Sequence, residues 1–116
     1  MRVGFTGTRA GMSSKQLDAF AAVLKTYAID EFHHGGARGA DTEADAAVKL
    51  IAPLAAVHVL RPKGRGDELA RNRVIVSRVD VLIAAPLQDE EITRSGTWAT
   101  IRYARAAGKP VIQLPR

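Results

Sequence analysis

Short apolar runs alternate along this chain with segments whose apolar residues recur every three or four positions. Runs rich in β-branched, aromatic or uniformly apolar residues are typical of strands, and those buried on both faces need no polar alternation. Val81–Ala84 is apolar at every position, which indicates a strand at the centre of a sheet. The strands predicted in this way are Arg2–Thr6, Ile29–His34, Ala55–Leu60, Val81–Ala84 and Lys109–Leu114.

The segment after the first strand has the periodicity of an amphipathic helix. Ser13 and Gln16 have the spacing of a capping box, in which each side chain bonds the backbone N–H of the other residue. One helix face is then predicted to be buried, because apolar residues recur there at helical spacing. The residues of that face are Leu17, Phe20, Ala21, Leu24 and Ala28.

Three more helices are predicted between the remaining strands. The second has Asp41 or Thr42 at its N-cap and is stopped by Pro53, since proline cannot continue a helix. The third follows Asp67 and runs to about residue 78, and the fourth runs from Ser95-Gly96-Thr97 to the glycine at position 108.

Strands that alternate with helices predict an α/β fold. We expect a three-layer α/β/α sandwich around a Rossmann-like parallel sheet of about five strands in the order 3-2-1-4-5, because crossovers are right-handed. A length of 116 residues and the lack of any linker or repeat predict a single domain spanning 1–116.

Composition excludes several classes of protein. The chain has no cysteine, so a disulfide framework and a thiolate metal site are both excluded. No apolar run approaches the roughly 20 residues that cross a bilayer, and the first apolar stretch is too short for a signal peptide. The expected location is the cytoplasm, without a membrane partner.

Positive charge is concentrated in the second half of the sequence. The whole chain carries 17 Lys and Arg against 12 Asp and Glu, a net charge of +5. Residues 59–116 hold the entire excess, and most of it lies between Arg61 and Arg78. Such a cluster attracts phosphate in a small ligand or a nucleic acid, although a solvated helix face has the same composition.

Four loops are predicted to meet at the carboxyl edge of the sheet, since every strand of a parallel sheet ends there. They are GTRAG at 7–11, GGARGAD at 35–41, RPKGRG at 61–66 and the stretch that ends in RSGT at 94–97. Each opens a helix, whose first N–H groups favour an anion, and each contains an arginine, which can bind phosphate oxygens. These loops together predict a site for a phosphorylated ligand.

Other residues give weaker signals. Neither a G-x-G-x-x-G nor a Walker-type motif occurs, so ordinary dinucleotide and P-loop sites are not supported. His33 and His34 are adjacent on a strand and face opposite sides, so we expect no metal site, and no cofactor is predicted. Trp98 is expected in the core, and exposed apolar residues on its helix favour a homodimer.

Six motifs occur in an order that resembles a known superfamily. They are RVGFTGTR, HHGGARGAD, ARN, the aspartate before VLIAAP, SGTW and GKPVI. Together they resemble the SLOG superfamily of Rossmann-like nucleotide-binding domains, and above all its YspA-like branch, over nearly the whole chain. The resemblance implies that a nucleotide or nucleotide-derived ligand binds at the carboxyl edge.

The candidate ligand-binding residues follow from the loops and from this resemblance. They are Gly7, Thr8, Arg9, Gly35, Gly36, Ala37, Arg38, Gly39, Asp41, Arg71, Asn72, Pro86, Ser95, Gly96 and Thr97. Backbone amides of residues 35–39 and 95–97 would hold phosphate, with Arg9, Arg38 or Arg71 as the counter-charge.

Two related groups leave alternatives open. Lonely Guy enzymes hydrolyse the N-glycosidic bond of nucleotides with a catalytic glutamate, but this chain has Thr100 at that position. A carboxylate is needed for such chemistry, so an N-glycosidase would have to use Asp41. DprA-type DNA-processing proteins resemble this chain in their GTR and SGT loops and load single-stranded DNA, which makes nucleic acid a third candidate ligand. Aromatic residues, on which single-strand binders stack bases, are few here.

Overall fold

The structure is built around one parallel sheet of five strands. In this computed structural model, which describes residues 1–116, the strands are β1 (Arg2–Gly7), β2 (Glu31–His34), β3 (Ala56–Val59), β4 (Val81–Ala85) and β5 (Val111–Gln113). Their order is β3-β2-β1-β4-β5, and every neighbouring pair is parallel. The predicted fold class and strand order are therefore confirmed.

Four helices cover the two faces of the sheet. They are α1 (Ser14–Thr26), α2 (Ala40–Ile51), α3 (Glu68–Arg78) and α4 (Gly96–Ala106). Helices α1 and α2 pack together on one face, while α3 and α4 pack together on the other. None of these helices combines the length and the apolar character that crossing a bilayer demands.

Three phenylalanines form the centre of the larger core, between the sheet and the α1–α2 layer. The ring centroids of Phe5, Phe20 and Phe32 lie 5.3 to 6.0 Å apart, in tilted arrangements that suit aromatic quadrupoles. Every residue of β4 is buried, as its uniformly apolar sequence predicts. This core fixes the carboxyl ends of β1 and β4 side by side.

The predicted buried face of α1 is confirmed at Phe20 and Leu24 but wrong at its two ends, where Leu17 and Ala28 are exposed. Leu17, expected inside, is 36% exposed, whereas Gln16 is fully buried. The Gln16 amide nitrogen donates to the carbonyls of Pro86 at 2.9 Å and Leu114 at 3.1 Å, which satisfies a polar group that would otherwise be costly to bury. The predicted capping box between Ser13 and Gln16 is confirmed.

Helix α2 begins earlier than predicted. Its N-cap is Gly39, and neither Asp41 nor Thr42 occupies that position, so the predicted cap is wrong. Gly39 has a φ of 85°, and a Cβ there would lie 2.3 Å from the Arg9 carbonyl oxygen. Only a glycine allows the first two loops to approach so closely, and a glycine has no side chain that could cap the helix.

Candidate functional site

A cleft of about 830 Å³ opens at the carboxyl edge of the sheet. Its walls come from the end of β1, the start of α2, the first turns of α3, the loop after β4 and the start of α4. This volume falls within the range of small-molecule sites, roughly 300–1,000 Å³. The cleft is the candidate functional site.

Most of the sequence-predicted residues meet in this cleft. Those that line it are Gly7, Thr8, Arg9, Ala37, Asp41, Arg71, Asn72, Ser95, Gly96 and Thr97. Gly35 and Gly36 line an adjoining cleft of about 340 Å³, together with Arg61 from the third loop. Arg38, Gly39 and Pro86 line neither cleft.

The first loop ties three elements together at the floor of the cleft. The Thr8 N–H donates to the Ala85 carbonyl at 3.0 Å, and the Thr8 carbonyl accepts from the Ala40 N–H at 3.0 Å. Both backbone groups of Thr8 are thus used in positioning β1 against β4 and α2. The neighbouring Arg9 is exposed and takes part in none of the protein's ion pairs.

The second loop differs from the predicted phosphate cradle. The Asp41 carboxylate accepts the Ala37 N–H at 3.2 Å, and the Gly36 N–H donates to His34 Nδ1 at 3.0 Å. The protein's own side chains therefore occupy two of the amides that were expected to bind phosphate. In this loop the Asp41 carboxylate, which belongs to the protein, accepts a hydrogen bond that a bound phosphate was predicted to accept.

Asp41 is a buried carboxyl group at the cleft wall. It is 6% exposed, and burial raises its pKa above the ordinary value of 3.8, although the Ala37 N–H, His34 and Arg71 oppose the shift. A raised pKa makes the neutral acid more abundant near neutrality than for an exposed aspartate. A buried carboxyl group with a shifted pKa in a cleft is a candidate functional residue.

The pH dependence of stability tests this environment. The folded state binds the Asp41 proton more tightly than the unfolded state, so the group stabilises the fold at acid pH and loses this contribution as pH rises through its folded pKa. Urea denaturation between about pH 4 and pH 7 should show Asp41→Asn gaining stability relative to wild type as pH rises.

Asp80→Asn is the matched control for that experiment. The hydrogen bond from Arg2 lowers the pKa of Asp80, so wild type should lose stability relative to this variant as pH falls from about 5 to below about 4, which is the opposite trend and requires the series to extend to about pH 3. A stability difference for Asp41→Asn that is independent of pH, or that follows the Asp80→Asn trend, would contradict the raised pKa.

Arg71 is largely a structural residue. Its Nη1 donates to the carbonyls of Gly35 at 2.6 Å and Leu60 at 3.2 Å, so the side chain runs inward from α3 to the ends of β2 and β3. Burial lowers its pKa, and the nearby Asp41 and Glu68 carboxylates counter that effect. The guanidinium stays charged and supplies positive potential beneath both clefts.

The fourth loop retains free backbone donors. Ser95 is the N-cap of α4: its Oγ accepts the Trp98 N–H at 3.2 Å, and its carbonyl accepts the Ala99 N–H at 2.9 Å. The N–H groups of Gly96 and Thr97 remain at the helix N-terminus, where the helix dipole adds partial positive charge. Apart from its chain neighbours and the backbone of its own helix, nothing lies within 4 Å of a Cβ built on Gly96, so the backbone there is open to a ligand.

Asn72 and Thr100 link the two helices of the α3–α4 layer. Asn72 Nδ2 donates to Thr100 Oγ1 at 2.8 Å, and Thr100 Oγ1 donates to the Gly96 carbonyl at 2.9 Å. Thr100 is buried and does not line the main cleft, whereas Asn72 does. Thr100 therefore joins α3 to α4 and does not face the main cleft.

Sequence reasoning missed the apolar part of the cleft. Leu69, Leu87 and Ile92 line it, and two of them belong to the loop after β4, in which no candidate residue between 87 and 93 is predicted from the sequence. Trp98, expected in the core, is 3% exposed, and its Nε1 donates to the Gln88 carbonyl at 3.2 Å. That bond holds the loop against α4. The apolar residues within an otherwise polar loop were the available signal.

No protein-family model matches this sequence, and no curated protein matches it either. The fold resembles solved structures, among them two of the same DNA-processing protein from different bacteria. DNA processing protein A (DprA) from Streptococcus pneumoniae has a TM-score of 0.74 and 21% identity, over 97% of this chain and 49% of that one. DprA from Helicobacter pylori, described for its single-stranded DNA binding mode, has a TM-score of 0.66 and 21% identity, over 100% of this chain and 66% of that one. The chain therefore shares the Rossmann-like fold of DprA and spans about half to two thirds of those proteins.

Proposed function

We propose that the cleft binds a nucleotide or nucleotide-derived phosphorylated ligand, as a sensor or carrier. The observation that carries this proposal is the positive corner of the main cleft. There the open N-terminus of α4, with the N–H groups of Gly96 and Thr97, shares one cavity with Arg94 and Arg9. Both guanidinium groups are exposed and free of ion pairs, so they can bind phosphate oxygens.

The rest of the cleft suits a base and a sugar. Leu69, Leu87 and Ile92 offer an apolar wall for the face of a base. The amide nitrogen of Asn72 donates to Thr100, and its amide oxygen remains available to accept a hydrogen bond from a hydroxyl or an amino group. A ligand with an anionic end and a flat, partly apolar end matches this arrangement.

The proposal extends to the superfamily of the domain. We propose that residues 1–116 form one SLOG-like nucleotide-binding domain of the YspA-like branch. Support comes from the order of the motifs along the chain and from the way residues 7–9, 71–72 and 95–97 of those motifs share the cleft.

Thermal denaturation with nucleoside monophosphates, NAD and ADP-ribose tests the function. We expect at least one of these compounds to raise the melting temperature, because ligands stabilise the folded state that binds them. Arg9→Ala and Arg94→Ala should each weaken that binding by about 1.5–3 kcal/mol, roughly 10- to 150-fold, the usual loss for a charged hydrogen bond.

Arg105→Ala is the matched control, since Arg105 lies in the last turn of α4, away from the cleft, and its loss changes the net charge equally. It should leave affinity unchanged, and Arg38→Ala should cost less than Arg9→Ala. If no compound raises the melting temperature at millimolar concentration, or if all four arginine variants behave alike, the proposal fails.

Single-stranded DNA is the second candidate ligand. The likeness to DprA favours it, as does the exposed basic loop of Arg61, Lys63 and Arg65 beside the adjoining cleft. The main cleft offers one aromatic ring, that of Phe5, which is 1% exposed and cannot stack on a base. Fluorescence anisotropy with a labelled oligonucleotide should show affinity that falls steeply with salt, less steeply once those three residues are alanine. Affinity independent of salt excludes this candidate.

N-glycosidic hydrolysis is favoured by the position of Asp41, a buried carboxyl group in the cleft wall whose pKa is raised by that burial. A carboxyl group there could assist the attack of water on the sugar carbon as the bond to the base breaks. Chromatography of nucleotides incubated with the protein should then show free base, and Asp41→Asn should abolish its release while binding persists. Absence of free base with the wild-type protein excludes the hydrolase and leaves the binding proposal intact.

A further inference from the structure

A second cluster of reactive side chains lies on the sheet, outside both clefts. Glu31 and His33 are two residues apart on β2 and share a face, and His58 is the register partner of His33 on β3. The Glu31 carboxylate oxygen lies 2.8 Å from His33 Nε2 and 3.8 Å from His58 Nε2. One ligand atom from each residue falls within a 4.8 Å group.

We propose that Glu31, His33 and His58 bind a divalent transition-metal cation of the Zn²⁺ class. Two imidazole nitrogens and one carboxylate oxygen are a donor set that suits Zn²⁺ and its neighbours and does not suit Mg²⁺ or Ca²⁺. Bonds of about 2.0–2.2 Å at tetrahedral angles separate two ligands by roughly 3.3–3.5 Å. The two measured separations, 2.8 and 3.8 Å, lie on either side of this value.

The histidine rings need only a small rearrangement. They are stacked, with centroids 4.5 Å apart and planes 11° from parallel, so one ring must turn to aim its nitrogen at a shared ion. The side chain of His58 is 49% exposed and can turn, while that of His33, 6% exposed, is fixed. His58 and Glu31 are both open to solvent, which leaves the fourth position of the metal to water.

Neighbouring charges do not oppose a cation at this place. Arg2 is the register partner of Glu31, but its guanidinium is paired with Asp80 at 3.0 Å. His34 lies on the opposite face and bonds Asp45 at 2.7 Å, so it takes no part in the cluster. The histidine pair that sequence analysis set aside was the adjacent one, whereas the cluster depends on the register between two strands.

A metal ion at this site would cross-link the edge strand β3 to β2. Strand β3 pairs only with β2, and three of its four residues are exposed. A bond from His58 to an ion held by Glu31 and His33 joins the two strands through their side chains as well as their backbones. Binding should therefore stabilise the fold.

Titration of Zn²⁺ into the chelator-treated full chain tests the site. We expect calorimetry to give one ion per chain and the melting temperature to rise by roughly 10 °C at a hundredfold excess over Kd, with no rise from Mg²⁺. His58→Asn should fold normally, because the residue is exposed, yet lose at least about tenfold in affinity and therefore about half or more of the temperature gain at the same Zn²⁺ concentration.

Asp45→Asn is the matched control, since it removes the carboxylate of the other histidine–carboxylate pair, on the opposite face. It should bind Zn²⁺ as the wild type does. The site is refuted if Zn²⁺ does not bind at micromolar concentration, or if His58→Asn binds it as tightly as Asp45→Asn. Neither result touches the nucleotide proposal, because no residue of this cluster lines the main cleft.

Discussion

Gly35→Ala is expected to cost about 3–5 kcal/mol of folding free energy, a large share of the stability of a small domain. A Cβ at this position would lie 2.1 Å from Arg71 Nη1 and 2.3 Å from its Cζ. Overpacking alone typically costs 1–3 kcal/mol, and here the displaced group is a buried guanidinium that also loses its charged hydrogen bond to the Gly35 carbonyl. Urea denaturation at neutral pH measures the loss.

Gly96→Ala is the control for that substitution. It makes the same chemical change at another glycine of the carboxyl edge, where a Cβ has nothing within 4 Å. Its stability should change by less than about 1 kcal/mol, since alanine is also the better helix former. Equal effects at the two positions would show that the space beside Gly35 is not reserved for Arg71.

The glycine-rich loop at 35–41 predicts that a close contact exists but does not identify the group that makes it. The glycines of the motif at 35–41 indicate that another group packs closely against the backbone there. From the sequence alone, a bound ligand is the predicted partner. In the structure the partner of Gly35 is a side chain 36 residues away in the chain, on α3. Nothing local in GGARGAD records that pairing, because it depends on how α3 packs against the ends of β2 and β3.

Strand order and the meeting of the loops could be predicted because they follow from local pattern and general topology. A uniformly apolar β4 and short alternating elements leave few arrangements, and all parallel strands end at one edge. The contribution of the loop after β4 could not be predicted in this way. It folds over the cleft through the bond from Trp98 to the Gln88 carbonyl and another from Gln113 to the Asp89 carbonyl, both set by tertiary packing.

Tertiary packing also determines which arginines near the candidate site are structural and which can bind a ligand. Arg9 and Arg71 are both predicted as counter-charges, and Arg94 belongs to the fourth predicted loop, so nothing local in the sequence separates the three. The structure buries Arg71 beneath backbone carbonyls and leaves the other two exposed at the cleft. Burial, which sequence does not report, decides which guanidinium can meet a ligand.

Arg71→Met is therefore expected to damage the fold first and any ligand binding second. The substitution removes the donors that serve the Gly35, Leu60 and Glu68 carbonyls at 2.6, 3.2 and 3.4 Å. An orphaned buried acceptor costs about 1–3 kcal/mol, so a total loss of about 3–5 kcal/mol follows even though methionine fills most of the volume. Urea denaturation should also show a smaller loss for Arg71→Lys, because an ammonium group keeps the charge and donors for the Gly35 and Leu60 carbonyls but has no counterpart of the Nε donor that serves Glu68.

Arg78→Met provides the comparison on the same helix. Arg78 is exposed in the last turn of α3, where a positive charge interacts only with the helix dipole, so its loss should cost less than about 1 kcal/mol. A loss for Arg71→Met within about 1 kcal/mol of that value would refute the structural role. Arg71 would then have to be regarded as a free counter-charge, and the second loop would need another support for its position beneath the cleft.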